Sequence, residues 1–136
     1  MAIFTVFLKT FLGRGAVNQV DLNADAINVG MFNSPNFPDL YDNKLDCVWV
    51  ITAPPGHTVE VTFTTFTTEI LLDYVQVKDG GLDTSPLIED LTGQQTVPLK
   101  LSSTGTQMRV EFHSDVSVTF EGFKANYIAL SIPGLI

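Results

Sequence analysis

Apolar and polar residues alternate with a period of two in several short stretches, the spacing of strands buried on one face. In Val59-Glu60-Val61-Thr62-Phe63-Thr64, Val59, Val61 and Phe63 fall on one face and Glu60, Thr62 and Thr64 on the other. Between Thr106 and Asp115 the same rhythm sets Met108, Val110 and Phe112 against Arg109, Glu111 and His113. Tyr74-Val75-Gln76-Val77 and Phe123, Ala125 and Tyr127 follow it as well, and Asp79-Gly80-Gly81 closes the former as a turn. Val48-Trp49-Val50-Ile51 is apolar throughout, as a buried strand is, and Ala53-Pro54-Pro55-Gly56 ends it. Pro86-Leu87-Ile88 and Val97-Pro98-Leu99-Lys100-Leu101 are shorter candidates, with Gly93 between them. No stretch carries the period of an amphipathic helix. Short strands with turn signals about every 8–12 residues predict an all-β sandwich.

The first third of the chain is less regular. Met1 to Leu12 is apolar but interrupted by Lys9 and Thr10, with no basic residue ahead of the run. That is a poor match to a signal peptide, and it predicts a strand or extended arm from Ile3 to Leu12, ended by Gly13-Arg14-Gly15. Ala16 to Gly30 alternates weakly at Val20 and Leu22, and Asp21-Leu22-Asn23-Ala24-Asp25 is expected to be a solvated turn. It lacks the glycine and closing glutamate of an EF-hand loop. In Ser34-Pro35-Asn36-Phe37-Pro38 two prolines forbid helix and hold the chain extended or turned.

Composition narrows the function classes. The 136 residues are 45% hydrophobic, enough for one domain with a proper core. Fifteen Asp and Glu against seven Lys and Arg give a net charge of −8, which repels phosphate backbones and anionic lipid. Nucleic acid and membrane insertion are therefore poor expectations, whereas cations or partners presenting Lys or Arg suit the charge. One cysteine, Cys47, closes no intramolecular disulfide, so the fold rests on packing.

Three acids stand at the ends of predicted strands. Glu69 follows the Val59 strand, Asp73 opens the Tyr74 strand, and Asp115 ends the Thr106 strand. Convergence at one edge of the sandwich would suit calcium, which takes six to eight oxygens at about 2.3–2.6 Å. The alternative is three separate solvated loop residues, with Asp73 and Asp115 capping local amides. Catalytic arrangements are not supported. His113, Ser114 and Asp115 are neighbours on a strand whose side chains diverge, and His57, His113 and Cys47 lack zinc-like spacing.

The order Gly30, Ser34-Pro35-Asn36-Phe37-Pro38, Tyr41, Cys47-Val48-Trp49-Val50-Ile51 and Ala53-Pro54-Pro55-Gly56 resembles the first half of a CUB domain. Phe63, Phe66 and Glu69 with Asp73-Tyr74-Val75-Gln76-Val77 and Asp79-Gly80 resemble its middle. Phe112-His113-Ser114-Asp115 and Gly122-Phe123-Lys124-Ala125-Asn126-Tyr127 resemble its end. The resemblance implies a jelly-roll-type sandwich of two antiparallel sheets over residues 30–130, with residues 1–29 an N-terminal extension or strand arm and 131–136 a tail. It further implies a non-catalytic, extracellular or cell-surface recognition module. Its calcium would be held by Glu69, Asp73 and Asp115 with a main-chain oxygen near Val116 and Ser117, and a partner's Lys or Arg would meet the same acids.

Departures from the family pattern are specific. The tyrosine that supports the site in the Ser-Pro-Asn-Tyr-Pro motif is Phe37 here, the loop from Glu69 to Asp73 is short, and two disulfides are missing. Leu71 or Leu72 and Thr92 stand about where the third and fourth cysteines would lie. The loss of both disulfides beside an apolar arm supports an alternative function, a self-assembling subunit whose arm adds to a neighbour's sheet edge. An arm packed on its own domain is equally compatible with the sequence.

Overall fold

A computed structural model describes residues 18–134. The Ile3–Leu12 arm lies outside them. Nine strands form two sheets: β1 (Asn18–Asn23), β2 (Gly30–Asn33), β3 (Asp46–Thr52), β4 (His57–Thr67), β5 (Tyr74–Lys78), β6 (Leu87–Leu91), β7 (Leu99–Ser102), β8 (Gln107–His113) and β9 (Gly122–Ser131). One sheet has the order β1-β3-β8-β5-β6 and the other β2-β9-β4-β7. The described residues contain no helix. This is the all-β sandwich expected from the alternation, of the jelly-roll type that the resemblance implies.

The inward positions are those the pattern marks. Val59, Val61 and Phe63 of β4, Val75 and Val77 of β5, and Met108, Val110 and Phe112 of β8 are all buried. Each such side chain removed from water stabilises the fold by roughly 1.5–3 kcal/mol. Large faces small across the β4–β9 pair, where Phe63 lies opposite Ala125. One irregularity has a packing consequence. Phe63 and Phe66 are three residues apart and both buried, which strict alternation forbids. A register shift between Phe63 and Thr65 inserts the extra residue that returns Phe66 to the core.

One stretch differs from its expected conformation. Asp21 to Asn23 lie in strand rather than a solvated turn, because Asn18–Asn23 pairs in parallel with Cys47–Thr52. Val20 and Leu22 pack against the core while Asp21 faces out, so the weak alternation was the strand signal. Only Asp25 turns, accepting from the Ile27 amide at 2.9 Å and the Asn28 side chain at 2.8 Å. The β1–β3 pair is the one parallel pair in an otherwise antiparallel five-stranded sheet.

Cys47 is a buried, free thiol. Burial and then the charge of Asp46 push it up to about 12 from 9.0. Because the folded value lies above the unfolded one, its contribution to stability is complete below pH 9 and is lost as pH rises toward 12. At pH 8 the folded chain is expected to resist a disulfide thiol reagent and to yield its single equivalent only on unfolding. Prompt reaction of the folded chain would contradict this burial.

Candidate functional site

Antiparallel pairing brings the acids to one end of the sandwich. Tyr74 lies opposite His113, so Asp73 and Asp115, just beyond these partners, are neighbours where β5 begins and β8 ends. The Asp115 amide donates to Asp73 Oδ1 at 2.8 Å. Glu69 reaches the same place through a tight turn, closed by the Asp73 amide on the Glu69 carbonyl at 3.1 Å. One carboxylate oxygen from each of Glu69, Asp73 and Asp115 lies within 4.8 Å of the others.

Asp73 is the anchor. It has no exposed surface, and its Oδ2 accepts from the Tyr41 hydroxyl at 2.6 Å. That hydroxyl in turn accepts from the Glu69 amide at 3.1 Å. Tyr41 is held by an edge-on contact with Phe112, ring centroids 5.0 Å apart, and by its amide on the Phe120 carbonyl. Burial, reinforced by its bond to Asp73, raises the phenol pKa, so the hydroxyl remains a donor. A tyrosine hydroxyl thus does reach Asp73, from Tyr41, four residues beyond Phe37.

Threonines hold the turn. Thr92 Oγ1 donates to the Asp73 carbonyl at 2.7 Å and accepts from the Leu71 amide at 2.7 Å. Thr68 Oγ1 lies 3.2 Å from the Asp73 carbonyl and accepts from the Gly93 amide at 3.0 Å. Hydrogen bonds therefore join the Leu71 and Thr92 positions where the resemblance places a cystine.

The charges are not self-neutralised. Loss of solvent, then the charges of Asp115 and Asp73, raise the Glu69 carboxyl above its usual range. Glu69 Oε1 is screened from solvent and has no hydrogen-bond partner. A buried acceptor left unmatched is costly and calls for a cation or donor. The oxygens of Asp73 are already bonded, but a carboxylate offers about four lone-pair sites, so both can also ligate. Hard oxygen donors of this kind fit calcium. Ser117 is exposed beside them, its amide donating to Asp115 Oδ1 at 3.2 Å.

The neighbouring His113 and Ser114 are engaged elsewhere. His113 Nδ1 lies 2.8 Å from Asp46 Oδ1, and its ring stacks on Tyr74. Ser114 is fully buried; its hydroxyl donates to the Asp42 carbonyl at 2.7 Å and accepts from the Leu45 amide at 2.9 Å. These contacts tie the β2–β3 loop to the site.

The CUB domain family model matches residues 22–127. The chain is similar to the bone morphogenetic protein 1 homolog of Strongylocentrotus purpuratus, 44% identical over 102 residues, covering 72% of this chain and 16% of that protein. Among solved structures it is similar to the full extracellular region of zebrafish Gpr126/Adgrg6, with a TM-score of 0.73 and 36% identity over 84% of this chain and 15% of that one. The MASP-1 CUB2 domain bound to Ca2+ shares the fold, with a TM-score of 0.66 at 23% identity over 79% of this chain and 96% of that one. The chain thus spans under a fifth of the first two proteins. CUB domains are generally extracellular modules of protein–protein interaction, separate from the catalytic domain in relatives that are proteases. The chain belongs to the CUB domain family.

Proposed function

We propose that this domain is a calcium-organised recognition module. Glu69, Asp73 and Asp115 would hold the ion, with a main-chain oxygen near Ser117 completing the set. A protein partner would present a Lys or Arg to the same acids, in an extracellular or cell-surface setting. The observation that carries this reading is the convergence of three carboxylate oxygens within 4.8 Å around a screened, unpartnered Glu69 Oε1. When bound, the ion supplies positive charge that keeps the carboxylates ionised and the two loops together. The chain's residues supply the rest: Tyr41 orients Asp73, Thr92 shapes the turn, and the Asp115 amide fixes the third acid.

Thermal unfolding with excess calcium and then with chelator tests the reading. Calcium at about 100 times its dissociation constant stabilises by roughly 2.7 kcal/mol, a rise of several degrees for a domain of this size. The rise is expected to vanish in Asp115→Ala. An unchanged midpoint in the parent chain would remove the metal site.

A further inference from the structure

Exposed apolar side chains cluster beside the acids. Of the thirteen large hydrophobic residues left exposed among those described, six (Ile70, Leu71, Leu72, Val116, Val118 and Phe120) lie on the two loops that carry the acids, and the first five are the most exposed of these. Ile70, Leu71 and Leu72 make up the whole turn between Glu69 and Asp73, and Leu71 is 76% exposed. Val116 follows Asp115 directly and is 67% exposed. Because the acids meet, the two loops that carry these side chains meet as well. A concentration of exposed apolar residues marks an interaction surface, whereas scattered ones need no explanation.

Backbone geometry does not explain their presence. Leu71 has φ 73° and Val118 φ 69°, in the left-handed region that favours glycine or asparagine. A leucine and a β-branched valine are among the less suitable residues there. Both side chains therefore sit at a local conformational cost.

We propose that Ile70, Leu71, Leu72, Val116 and Val118 form an apolar collar around the acidic trio, selecting protein partners whose Lys or Arg is flanked by bulky apolar residues. The inference rests on the recognition reading above and names its partner class. A lysine suits both parts, since its carbon stem packs on apolar surface while its ammonium meets carboxylates. Leucine or isoleucine on either side of it would cover the collar. The other occupant of apolar loops beside a calcium site, an anionic lipid surface, is disfavoured by the net charge of −8.

The test titrates the isotope-labelled full chain, in calcium, with three peptides followed by amide chemical shifts. These are Gly-Ser-Leu-Lys-Leu-Ser-Gly, the same peptide with serine flanks, and the same peptide with glutamine for lysine. The first is expected to bind at least about tenfold more tightly than either control, the equivalent of about 1.4 kcal/mol. Leu71→Asn with Val118→Asn should reduce it to the level of the serine-flanked peptide. Asparagine tolerates positive φ, so this variant should keep its calcium-induced thermal shift and melt no lower than the parent. Equal affinity for the leucine- and serine-flanked peptides, no binding of either, or undiminished binding by the variant overturns the collar. So does preference for calcium-treated vesicles of phosphatidylserine and phosphatidylcholine (1:4) over all three peptides. The calcium reading fails separately, by the absence of a thermal shift in the parent; a flank preference that persists then leaves the collar standing without the ion.

Discussion

Asp73→Ala is expected to lower stability by about 3–5 kcal/mol in chelator, enough to drop the melting midpoint by roughly 10–20 °C. The carboxylate is fully buried and receives two hydrogen bonds, from the Tyr41 hydroxyl and the Asp115 amide. Truncation leaves both donors without their acceptor and opens a void between three loops. A buried donor deprived of its partner costs about 1–3 kcal/mol, more when the lost acceptor was charged. One effect runs the other way: removing a charge relieves its repulsion of Glu69 and Asp115. The lost hydrogen bonds are expected to win, because Asp73 accepts from both the β2–β3 loop and the β8–β9 loop at a fully buried position. Asp73→Asn separates the two effects. It keeps the shape and one acceptor and removes the charge, so a loss of about 1–2 kcal/mol is expected. Denaturant unfolding in chelator measures both variants. A loss below about 1 kcal/mol for Asp73→Ala would mean that charge relief nearly offsets the network, and the site would be a strained pocket awaiting its ion.

How much of this was legible beforehand depends on where each signal resides. Strands β4, β5 and β8 could be read directly, because one face is buried and the other solvated, and the sequence records that difference every second residue. Strand β1 was hidden: it lies at a sheet edge, and only Val20 and Leu22 pack inward among Asn, Gln and Asp. Edge strands tolerate such polarity, so composition made it resemble a turn. The bulge after Phe63 left a trace in the three-residue spacing to Phe66, which only pairing with β9 explains.

The acids were legible for a related reason. Each stands at a strand end, and strand ends in a sandwich gather at two poles. Tyr41 was not, since nothing in its surroundings distinguishes a hydroxyl aimed at Asp73, thirty-two positions away, from one in water. In the sequence Thr92 marks only the place of a missing cysteine, while its hydroxyl bonds to the turn on both sides. Local pattern reports burial well and long-range hydrogen bonding hardly at all.

The second large effect is expected in the core, at Phe123→Ala, with a loss of about 4–5 kcal/mol near the top of the usual range for such truncations. Phe123 is fully buried at the start of β9, and its ring centroid lies 5.5–6.1 Å from those of Phe32, Trp49, Phe63, Phe66 and Phe112. These come from both sheets, so the ring is where the two layers meet, and each well-oriented aromatic pair adds roughly 0.5–1.5 kcal/mol beyond burial. Its surroundings give the cavity little freedom to collapse. The backbone of Phe123 is fixed to Ser34, whose amide donates to the Phe123 carbonyl and whose hydroxyl accepts from the Phe123 amide, both at 3.0 Å. Gly122 before it has φ 85°, and a Cβ there would meet Ser34 Oγ, so the strand cannot slide to fill the gap. The loss matters more because Cys47 is unpaired and no intramolecular disulfide limits the unfolded chain. With a typical total stability of about 5–15 kcal/mol, the variant is left near the threshold of folding. Phe123→Leu keeps most of the volume and is expected to cost about 1–2 kcal/mol, giving a measurable unfolding curve even if the alanine variant does not fold. If Phe123→Leu costs as much as an alanine truncation normally does, the aromatic edges rather than the buried volume hold the layers together. If both variants cost little, the two sheets are joined chiefly elsewhere, and the Tyr41–Asp73 network becomes the main tie between the loops at this end of the sandwich.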